Sequence, residues 1–245
     1  MNVLVLGRGR MGRAVQQLAA ERGHTVLGPL GRHEGEGLEL WSNAEVAVDF
    51  TDAKAIHTNV TRALAARVPI VVGTTGWWDD LDRIRDQVIA AGGTLLWGGN
   101  FSIGHHILAA VTRTAAALAR GFRDYDPSIF EHHHTGKRDA PSGTALELAD
   151  VILDELPRKT EVVTDLGDGP IADEGLHVTS LRAGNEPGTH RVRLDGPFDS
   201  VTLEHAVRDR RVFAAGALFA AERARELTGV IHFGTLVSEA MDREG

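Results

Sequence analysis

Short apolar runs alternate with helix-length segments over the first hundred residues of the chain. Val3–Leu6 is a continuous apolar run and Val46–Phe50 is apolar except for Asp49, patterns that are typical of buried strands. Between such runs, apolar residues recur at the spacing of one helix face. Strands that alternate with helices predict βαβ units and a parallel sheet. The predicted strands are Val3–Leu6, His24–Gly28, Val46–Phe50, Pro69–Gly73 and Thr94–Trp97, and the predicted helices are 11–22, 53–67 and 79–91.

The pattern changes after Asn100. An alanine-rich segment predicts one long helix over 103–120, and a second helix is predicted at about 143–156. The stretches LHVTSLRAG, HRVRLDG and SVTLEHAV, joined by Gly, Pro and Asn turns, predict strands of an open sheet with helices on one face. The chain ends in two predicted helices, 214–227 and 234–241. The weakly patterned TDLGDGPIADEGL is either a surface loop or a clamp at an opening.

A glycine-rich turn follows the first predicted strand. Gly7, Gly9 and Gly12 have the spacing G-x-G-x-x-G and precede a predicted helix. In dinucleotide-binding proteins the first glycine permits a tight turn, the second lets backbone approach a pyrophosphate, and the third lets helix and strand pack closely. The free N–H groups of the helix start then face the anion. Arg8 and Arg10 lie in the same loop, where they can face a phosphate.

The position that usually selects NAD carries no acid. In NAD sites a carboxylate about 20 positions further on bonds the ribose 2′-hydroxyl. Gly31 stands near that position and Arg32 follows it, and a guanidinium suits the 2′-phosphate of NADPH. NADPH is therefore the predicted cofactor, with Arg32 as a contact. Glu34 and Glu36 are close enough for a shifted loop to bind NADH instead, and Arg32 is alternatively a solvated loop charge.

Two further loops leave the ends of predicted parallel strands. Gly73–Trp77 and Gly98–Gly104 are rich in small residues, and both contain hydroxyl side chains. Ligands of open α/β sheets bind at the carboxyl ends of the strands. These loops therefore either hold the nicotinamide and its ribose against backbone or are ordinary turns.

The stretch EHHHTGKRDAPSGTA, Glu131–Ala145, is open to three interpretations: a metal site, a solvated loop, or proton and anion handlers around a small substrate. In extended backbone, alternate side chains point to opposite faces, so three adjacent histidines do not converge on one ion. No metal site is therefore predicted. A metal would need ligands from elsewhere in the chain, such as His105, His106 or His190.

Composition limits the partners of the chain. Its formal net charge is −8 over 245 residues, so it has no overall attraction for nucleic acid or anionic lipid. It contains no cysteine, which excludes disulfides, thiolate metal sites and cysteine nucleophiles. We expect a cytoplasmic protein, because neither a signal-peptide pattern nor a membrane-length apolar run occurs. An anionic substrate would need a local cluster of positive charge.

Lys137 supplies such a charge beside a predicted helix start. Ser142 or Thr144 is the expected N-cap, and Thr144 with Glu147 has capping-box spacing. The helix start offers N–H groups to a carboxylate, and a neighbouring histidine can supply a proton near neutral pH. Asp139 either tethers Lys137 or is a solvated loop charge.

These residues resemble the signature of the 4-hydroxy-tetrahydrodipicolinate reductase family, also called dihydrodipicolinate reductase, of bacterial lysine biosynthesis. GRGRMG, VAVDFT, VVGTTGW, GGNFSIG, EHHHTGKRDAPSGTA, LRAGNEPGTH and RVFAAGA follow the family's order over nearly the whole chain. The resemblance implies an α/β fold with a Rossmann-like dinucleotide-binding domain, residues 1–102 and 213–245. It implies an α+β substrate domain with an open mixed sheet, residues 103–212, and a homotetramer built through the substrate-domain sheets.

The resemblance also implies roles for single residues. His133 matches the proton donor and Lys137 the second catalytic residue, whereas His132 falls on a variable position. Gly31 stands where the family often has an acid, and the family commonly uses both NADPH and NADH. The implied substrate contacts are His134, Gly143 and Thr144, and the implied cofactor contacts are Gly7, Arg8, Gly9, Arg10, Met11, Gly12, Gly73, Thr74, Thr75, Gly98, Gly99, Asn100 and Phe101.

The implied reaction is the NAD(P)H-dependent reduction of a small cyclic dicarboxylate imine to tetrahydrodipicolinate in the diaminopimelate route to lysine. Hydride goes to an electron-poor ring carbon, and His133 supplies a proton. Two other hypotheses are a two-domain NAD(P) oxidoreductase acting on an amino acid or a sugar, and a catalytically silent NADPH-binding sensor. Neither hypothesis accounts for the histidine–lysine–PSGT stretch.

Overall fold

The computed structural model describes residues 1–31 and 38–242 and divides the chain into two compact units. The first unit combines Met1–Ile103 with Arg210–Gly245, and the second is the intervening Gly104–Asp209. Arg32, the predicted 2′-phosphate contact, lies outside the described residues, as do Glu34 and Glu36. Among the described residues, every helix is too short or too polar to cross a bilayer.

The described residues form strands, α-helices and short 3₁₀ helices that alternate along the chain. The strands are β1 Asn2–Leu6, β2 Thr25–Leu30, β3 Val46–Asp49, β4 Ile70–Val72, β5 Thr94–Trp97, β6 Asp126–His133, β7 Glu161–Val163, β8 Gly175–Arg182, β9 Thr189–Asp195, β10 Ser200–Ala206 and β11 Gly229–His232. The α-helices are α1 Arg10–Glu21, α2 Leu38–Ser42, α3 Ile56–Ala66, α4 Leu81–Ala90, α5 Ile103–Ala119, α6 Gly143–Glu155, α7 Arg211–Ala224 and α8 Phe233–Asp242. The 3₁₀ helices, Ala53–Ala55 and Trp78–Asp80, precede α3 and α4.

The first unit is built on a parallel sheet, which confirms the predicted Rossmann-like α/β fold. Its strand order is β11-β5-β4-β3-β1-β2, and all five pairings are parallel. The strand order reverses direction at β1 and β3, so the loops that follow these strands lie at the point where doubly wound sheets bind ligands. The edge strand β11 comes from the end of the chain, which therefore completes the sheet begun by the first residues.

Both faces of this sheet are buried, which explains its continuous apolar strands. Val3 and Val5 point to one face, where they pack with residues of α1, α7 and α8. Leu4 and Leu6 point to the opposite face, where they pack with residues of α3 and α4. Alternate residues of β1 thus serve two cores, so an apolar residue is needed at each position.

The second unit contains a mixed sheet, as predicted. Its strand order is β10-β9-β6-β8-β7, with β6 antiparallel to β9 and parallel to β8. Helices α5 and α6 cover one face through Leu108, Leu148 and Ile152, which pack with apolar residues of β6, β8 and β9. Strand β6 is therefore the central strand of the sheet and contributes to the core beneath the two helices.

Strand β6 changes character along its helix-covered face. Its alternate residues Pro127, Ile129, Glu131 and His133 are all buried, so the same face begins apolar and ends with two ionisable side chains. The register pairs Glu131 with His190 on β9 and with Ser180 on β8. Strand pairing thus brings polar residues from three strands to one point at the end of an apolar core.

Candidate functional site

One of the three glycines in the glycine-rich turn of the first unit has free space where a side chain would begin. Gly7 has φ +104°, a conformation that favours glycine, and a Cβ there would collide with the carbonyl of Phe50. A Cβ at Gly12 would collide with the carbonyl of Gly7, whereas a Cβ at Gly9 would meet nothing within 4 Å. Gly9 is also the N-cap of α1, without a side chain that occupies the free N–H groups. Gly7 and Gly12 therefore serve the fold, and Gly9 leaves room for an anion.

A cavity of about 300 Å³ lies beside this turn. Gly31 borders it, so the position that carries an acid in NAD sites offers no side chain. Arg8 borders it as well, and its Nε donates to the carbonyl of Pro29 at 3.3 Å. Arg62 of α3 contributes a half-buried guanidinium that has no partner among the described residues. The cavity is lined by Leu6, Gly7, Arg8, Gly9, Leu30, Gly31, Phe50, Thr51, Asp52, Ala55, Asn59 and Arg62.

The loop after β4 is fixed by a buried carboxylate at the end of β3. Asp49 is fully buried and accepts bonds from Thr51 Oγ1 at 2.6 Å, Asn59 Nδ2 at 2.7 Å and Thr74 Oγ1 at 3.1 Å. Burial raises the pKa of Asp49, against the effect of these hydrogen bonds. The carbonyl of Thr74 accepts from the indole of Trp77. Thr74 is thus turned inward, and neighbouring Thr75 is exposed.

The loop after β5 is partly buried. Phe101 is 2% exposed and stacks near Phe233, with ring centroids 4.5 Å apart. Asn100 uses its side-chain oxygen to accept from the N–H of Ser102 at 2.9 Å. Gly99 is exposed, whereas Gly98 packs against Phe233. Of the predicted cofactor contacts in this loop, Gly99 and Asn100 are the members that reach the surface.

Glu131 is the centre of the site in the second unit. One carboxylate oxygen, Oε1, accepts from the Ser142 N–H at 3.0 Å, Ser180 Oγ at 2.7 Å and Arg182 Nη2 at 2.6 Å. The other, Oε2, lies 2.9 Å from His133 Nδ1. Burial raises the pKa of Glu131, but the hydrogen bonds from His133, Ser142, Arg182 and Ser180 outweigh burial and hold that pKa well below its usual range. Glu131 is therefore a fully buried carboxylate that stays ionised.

His133 is held between this carboxylate and the segment before β9. Its ring lies edge-on to His190, with centroids 5.0 Å apart. A Cβ at Gly188 would lie 2.9 Å from His133 Nε2, so glycine at this position leaves space beside that nitrogen. Burial lowers the pKa of His190 to about 3, and the charge of His133 acts in the same direction. His190 is thus neutral near pH 7, and the ionised Glu131 carboxylate lies beside Nδ1 of His133.

The three adjacent histidines separate as the alternation of β6 predicts. His132 points away from His133, and its Nε2 donates to the carbonyl of Ala183 at 3.1 Å. His134 follows the strand and begins a turn in which its carbonyl accepts from the N–H of Lys137. His132 and His133 therefore point to opposite faces of β6, as argued from the sequence.

Lys137 and the start of α6 form the cationic part of the site. The Nζ of Lys137 lies 2.8 Å from both carboxylate oxygens of Asp139, which confirms the tether, and this pairing lowers the pKa of Asp139. Ser142 is the N-cap, because its side chain accepts from the N–H of Ala145. Gly143 is exposed and Thr144 is half-exposed at the first turn. The helix start therefore faces outward beside a lysine.

Glu131, His133 and His190 are close enough together to be considered as metal ligands. Oε2 and Nδ1 are 2.9 Å apart, whereas two zinc ligands are about 3.4 Å apart in a tetrahedron with bonds of 2.0–2.1 Å. Arg182 already places a guanidinium on the same carboxylate. Glu131 and His133 are therefore interpreted as a proton-holding group, and the neutral His190 lies beside it.

Sequence reasoning misses three residues around His133. It gives Glu131 no role, considers His190 only as a metal ligand and leaves Arg182 out. Glu131 lies two residues before His133, the spacing that places both on one face of a strand. That spacing is the available signal, whereas the approach of Arg182 and His190 depends on strand pairing.

Comparison with known proteins gives one family over the whole chain. Residues 1–101 match the model of the dihydrodipicolinate reductase N-terminus, and residues 104–236 match that of its C-terminus. A 4-hydroxy-tetrahydrodipicolinate reductase of Christiangramia forsetii is 31% identical over 243 residues, covering 98% of each chain. One of Natronomonas pharaonis is 38% identical over 236 residues, covering 91% of this chain and 94% of the other.

A solved structure shows the same fold. The dipicolinate-bound dihydrodipicolinate reductase of Paenisporosarcina sp. TG-14 superposes with a TM-score of 0.74 at 23% identity. The superposition covers 95% of this chain and 97% of that chain. With both family models matched in order and relatives above 30% identity along nearly the full length, this chain belongs to the dihydrodipicolinate reductase family of oxidoreductases.

Proposed function

We propose that this chain catalyses the NAD(P)H-dependent reduction of 4-hydroxy-tetrahydrodipicolinate to tetrahydrodipicolinate in the diaminopimelate route to lysine. The observation that carries the proposal is the pairing of a proton-holding group, Glu131 with His133, with a lysine and an outward-facing helix start in one unit. The curated relatives of Christiangramia forsetii and Natronomonas pharaonis carry the name of this reductase.

The proposal divides the work between the two units. The first unit, with Gly9 open beside a cavity, binds the dinucleotide, and the second binds the dicarboxylate. The proposed cofactor contacts in the first unit are the turn Gly7–Gly12 and the exposed parts of the loops after β4 and β5. The proposed substrate contacts in the second unit are His134, Lys137, Gly143 and Thr144.

The reaction fits the groups that the second unit provides. One substrate, one reduced nicotinamide and one proton give tetrahydrodipicolinate, oxidised nicotinamide and water. Loss of the 4-hydroxyl group as water leaves a conjugated imine, and the nicotinamide, when bound, supplies the hydride to an electron-poor ring carbon of that imine. His133 holds the proton that the ring then takes up, and Lys137 with the N–H groups of α6 binds a carboxylate and stabilises negative charge building on the ring.

NADPH is the preferred cofactor in this proposal. Gly31 offers no carboxylate to the ribose 2′-hydroxyl, and Arg62, which has no partner within 1–31 and 38–242, brings a guanidinium to the same cavity. Arg32, which follows Gly31 in the sequence, is the second proposed phosphate contact. Arg62 lies on helix α3 and borders the cavity, so it needs no change of backbone to reach a phosphate there.

A steady-state assay with both cofactors tests function and preference together. Oxidation of reduced nicotinamide, followed by its absorbance, is expected only when the freshly formed hydroxy-tetrahydrodipicolinate is supplied, and kcat/KM with NADPH is expected to exceed that with NADH. Turnover of an unrelated amino acid or sugar, with none on this substrate, would contradict the proposed function.

Two single variants separate the phosphate contacts in that assay. Arg62→Ala and Arg32→Ala are each expected to raise KM for NADPH by about tenfold or more, because a hydrogen bond to a charged group contributes about 1.5–3 kcal/mol. KM for NADH is expected to change by less than about twofold, because NADH has no 2′-phosphate and an exposed charge without such a partner contributes little. Equal losses with both cofactors would show that the side chain serves the fold or the adenosine instead.

The glycine-rich turn offers a matched pair of variants for cofactor binding. Gly9→Ala is expected to leave the unfolding temperature unchanged, because the added Cβ meets nothing within 4 Å, and to weaken NADPH binding by about tenfold or more. Gly12→Ala is expected to lower stability by several kcal/mol, because its Cβ collides with the Gly7 carbonyl. Calorimetry and thermal melting measure the two effects. Unaltered NADPH affinity in Gly9→Ala would remove Gly9 from the site.

The proposed assembly is a cytoplasmic homotetramer built through the sheet of the second unit. Helices α5 and α6 cover one face of that sheet. Exposed apolar residues, among them Leu181 and Val201, lie on its strands. Light scattering of the native protein tests the assembly, and a monomer at assay concentration would contradict it.

A further inference from the structure

We propose that Glu131 is a positioning residue for His133: its carboxylate holds the Nδ1–H of the imidazole and leaves Nε2 as the nitrogen that exchanges the reacting proton. The inference deepens the proposed function and rests on His133 being the proton donor. It assigns a role to a residue that the proposed function leaves without one.

The backbone places Glu131 for this role. Glu131 and His133 are two residues apart on β6, so both side chains point to the same buried face. The carboxylate cannot turn away from the imidazole, because Oε1 is held by donors from Ser142, Ser180 and Arg182. These donors come from the N-cap of α6 and from β8, so separate elements fix one oxygen while the other meets Nδ1 at 2.9 Å.

The negative charge of Glu131 determines which imidazole nitrogen of His133 carries the hydrogen. An ionised carboxylate is acceptor-only, so the imidazole nitrogen that faces it must carry the hydrogen. A fixed proton on Nδ1 determines the tautomer, which leaves Nε2 to release a proton and later to recover one. Gly188 keeps space open beside Nε2. The carboxylate also stabilises the imidazolium, the form that the proton donor needs before each turnover.

The other charged groups near His133 do not replace this function. Arg182 from β8 binds the far oxygen of Glu131 at 2.6 Å. His190 from β9 is neutral near pH 7, since burial lowers its pKa to about 3, with charges on His133, His105 and His205 acting in the same direction. Glu131 is therefore the anion that balances a protonated His133 among the described residues packed around it.

The main test is the Glu131→Gln variant, which keeps the size of the side chain and removes its charge. A fall in kcat of about 100-fold is expected, the lower end of what general acid–base catalysis contributes. KM for NADPH should be unchanged. The basic limb of the pH dependence of kcat/KM should move to lower pH, because the group that favours the protonated imidazole is gone. Glu131→Asp, which keeps the charge, should recover part of kcat and of the pH limb.

A double-mutant cycle separates positioning from a structural role. If Glu131 acts through His133, Glu131→Gln should have almost no further effect on kcat in the His133→Asn background. Thr179→Ala is the matched control, because it removes a hydroxyl one position earlier on β8, where the side chain is exposed and contacts His177, and its kcat and pH limb should stay close to native. The proposal would be overturned if the losses in kcat from Glu131→Gln and His133→Asn were additive. It would also be overturned if Glu131→Gln left the basic limb of kcat/KM unmoved and Glu131→Asp were inactive.

A measurement on the native protein keeps the proposal falsifiable if Glu131→Gln fails to fold. Two-bond ¹H–¹⁵N spectra report which ring nitrogen of a histidine carries the proton. The neutral His133 is expected as the Nδ1–H tautomer, and an Nε2–H tautomer would overturn the proposal. This readout needs no turnover, so the positioning role fails or stands independently of the substrate that the steady-state assay identifies.

Discussion

Replacing His133 by asparagine is expected to lower kcat by about 100- to 10,000-fold, the range that a positioned general acid contributes. The variant removes Nε2, the nitrogen with open space beside Gly188, and leaves the ionised Glu131 without its imidazole. NADPH binding, measured by calorimetry, should be unchanged, because the proposed cofactor contacts lie in the other unit. Single-turnover kinetics with NADPH show whether the chemical step carries the loss.

The neighbouring histidine supplies the matched control. His132→Asn changes the same side-chain type one position earlier, where the imidazole faces the opposite side of β6 and donates to the Ala183 carbonyl. Its kcat is expected to stay within about threefold of native, the scale of one lost neutral hydrogen bond. Comparable losses in both variants would show that the histidine run supports the local backbone and that His133 has no special chemical role.

The parallel fold of the first unit could be read from the sequence because its signal is local. The inner strands, such as Thr94–Trp97, are short and largely apolar runs that are buried on both faces, so the pattern and the environment agree. Strand β11 was missed because Val230 and Ile231 follow a segment whose helical pattern extends beyond the observed end of α7 at Ala224. Its place at the sheet edge depends on pairing with β5, which is distant in sequence.

The site of the second unit was predictable only in part, because some of its contacts join residues that are distant in sequence. Strand β6 was not predicted, because its last residues are Glu-His-His and lack the alternation of apolar and polar residues. These residues form a strand because β8 and β9 pair with them on both sides. Lys137, Asp139 and the helix start lie within a few residues of one another, so their association could be inferred from the sequence. The meeting of Glu131 with Arg182 spans 51 positions and could not.

Removing Lys137 is expected to lower kcat/KM for the dicarboxylate by about 100- to 1,000-fold, the range measured when one donor to a developing negative charge is lost. The loss has two parts. Lys137→Ala deletes a cation, and it also leaves the carboxylate of Asp139 unpaired, so an anionic substrate meets a negative charge. Steady-state kinetics with NADPH held saturating measure the combined effect.

The double variant Lys137→Ala/Asp139→Ala separates the two parts. Because it removes the unpaired carboxylate as well, KM for the substrate should recover relative to Lys137→Ala, whereas kcat should remain low. Arg138→Ala is the matched control: Arg138 is an exposed cation in the adjacent position, and its removal should change kcat/KM by less than about threefold. A loss in Arg138→Ala equal to that in Lys137→Ala would mean that the general positive charge of the loop attracts the substrate, and that Lys137 is not a specific contact.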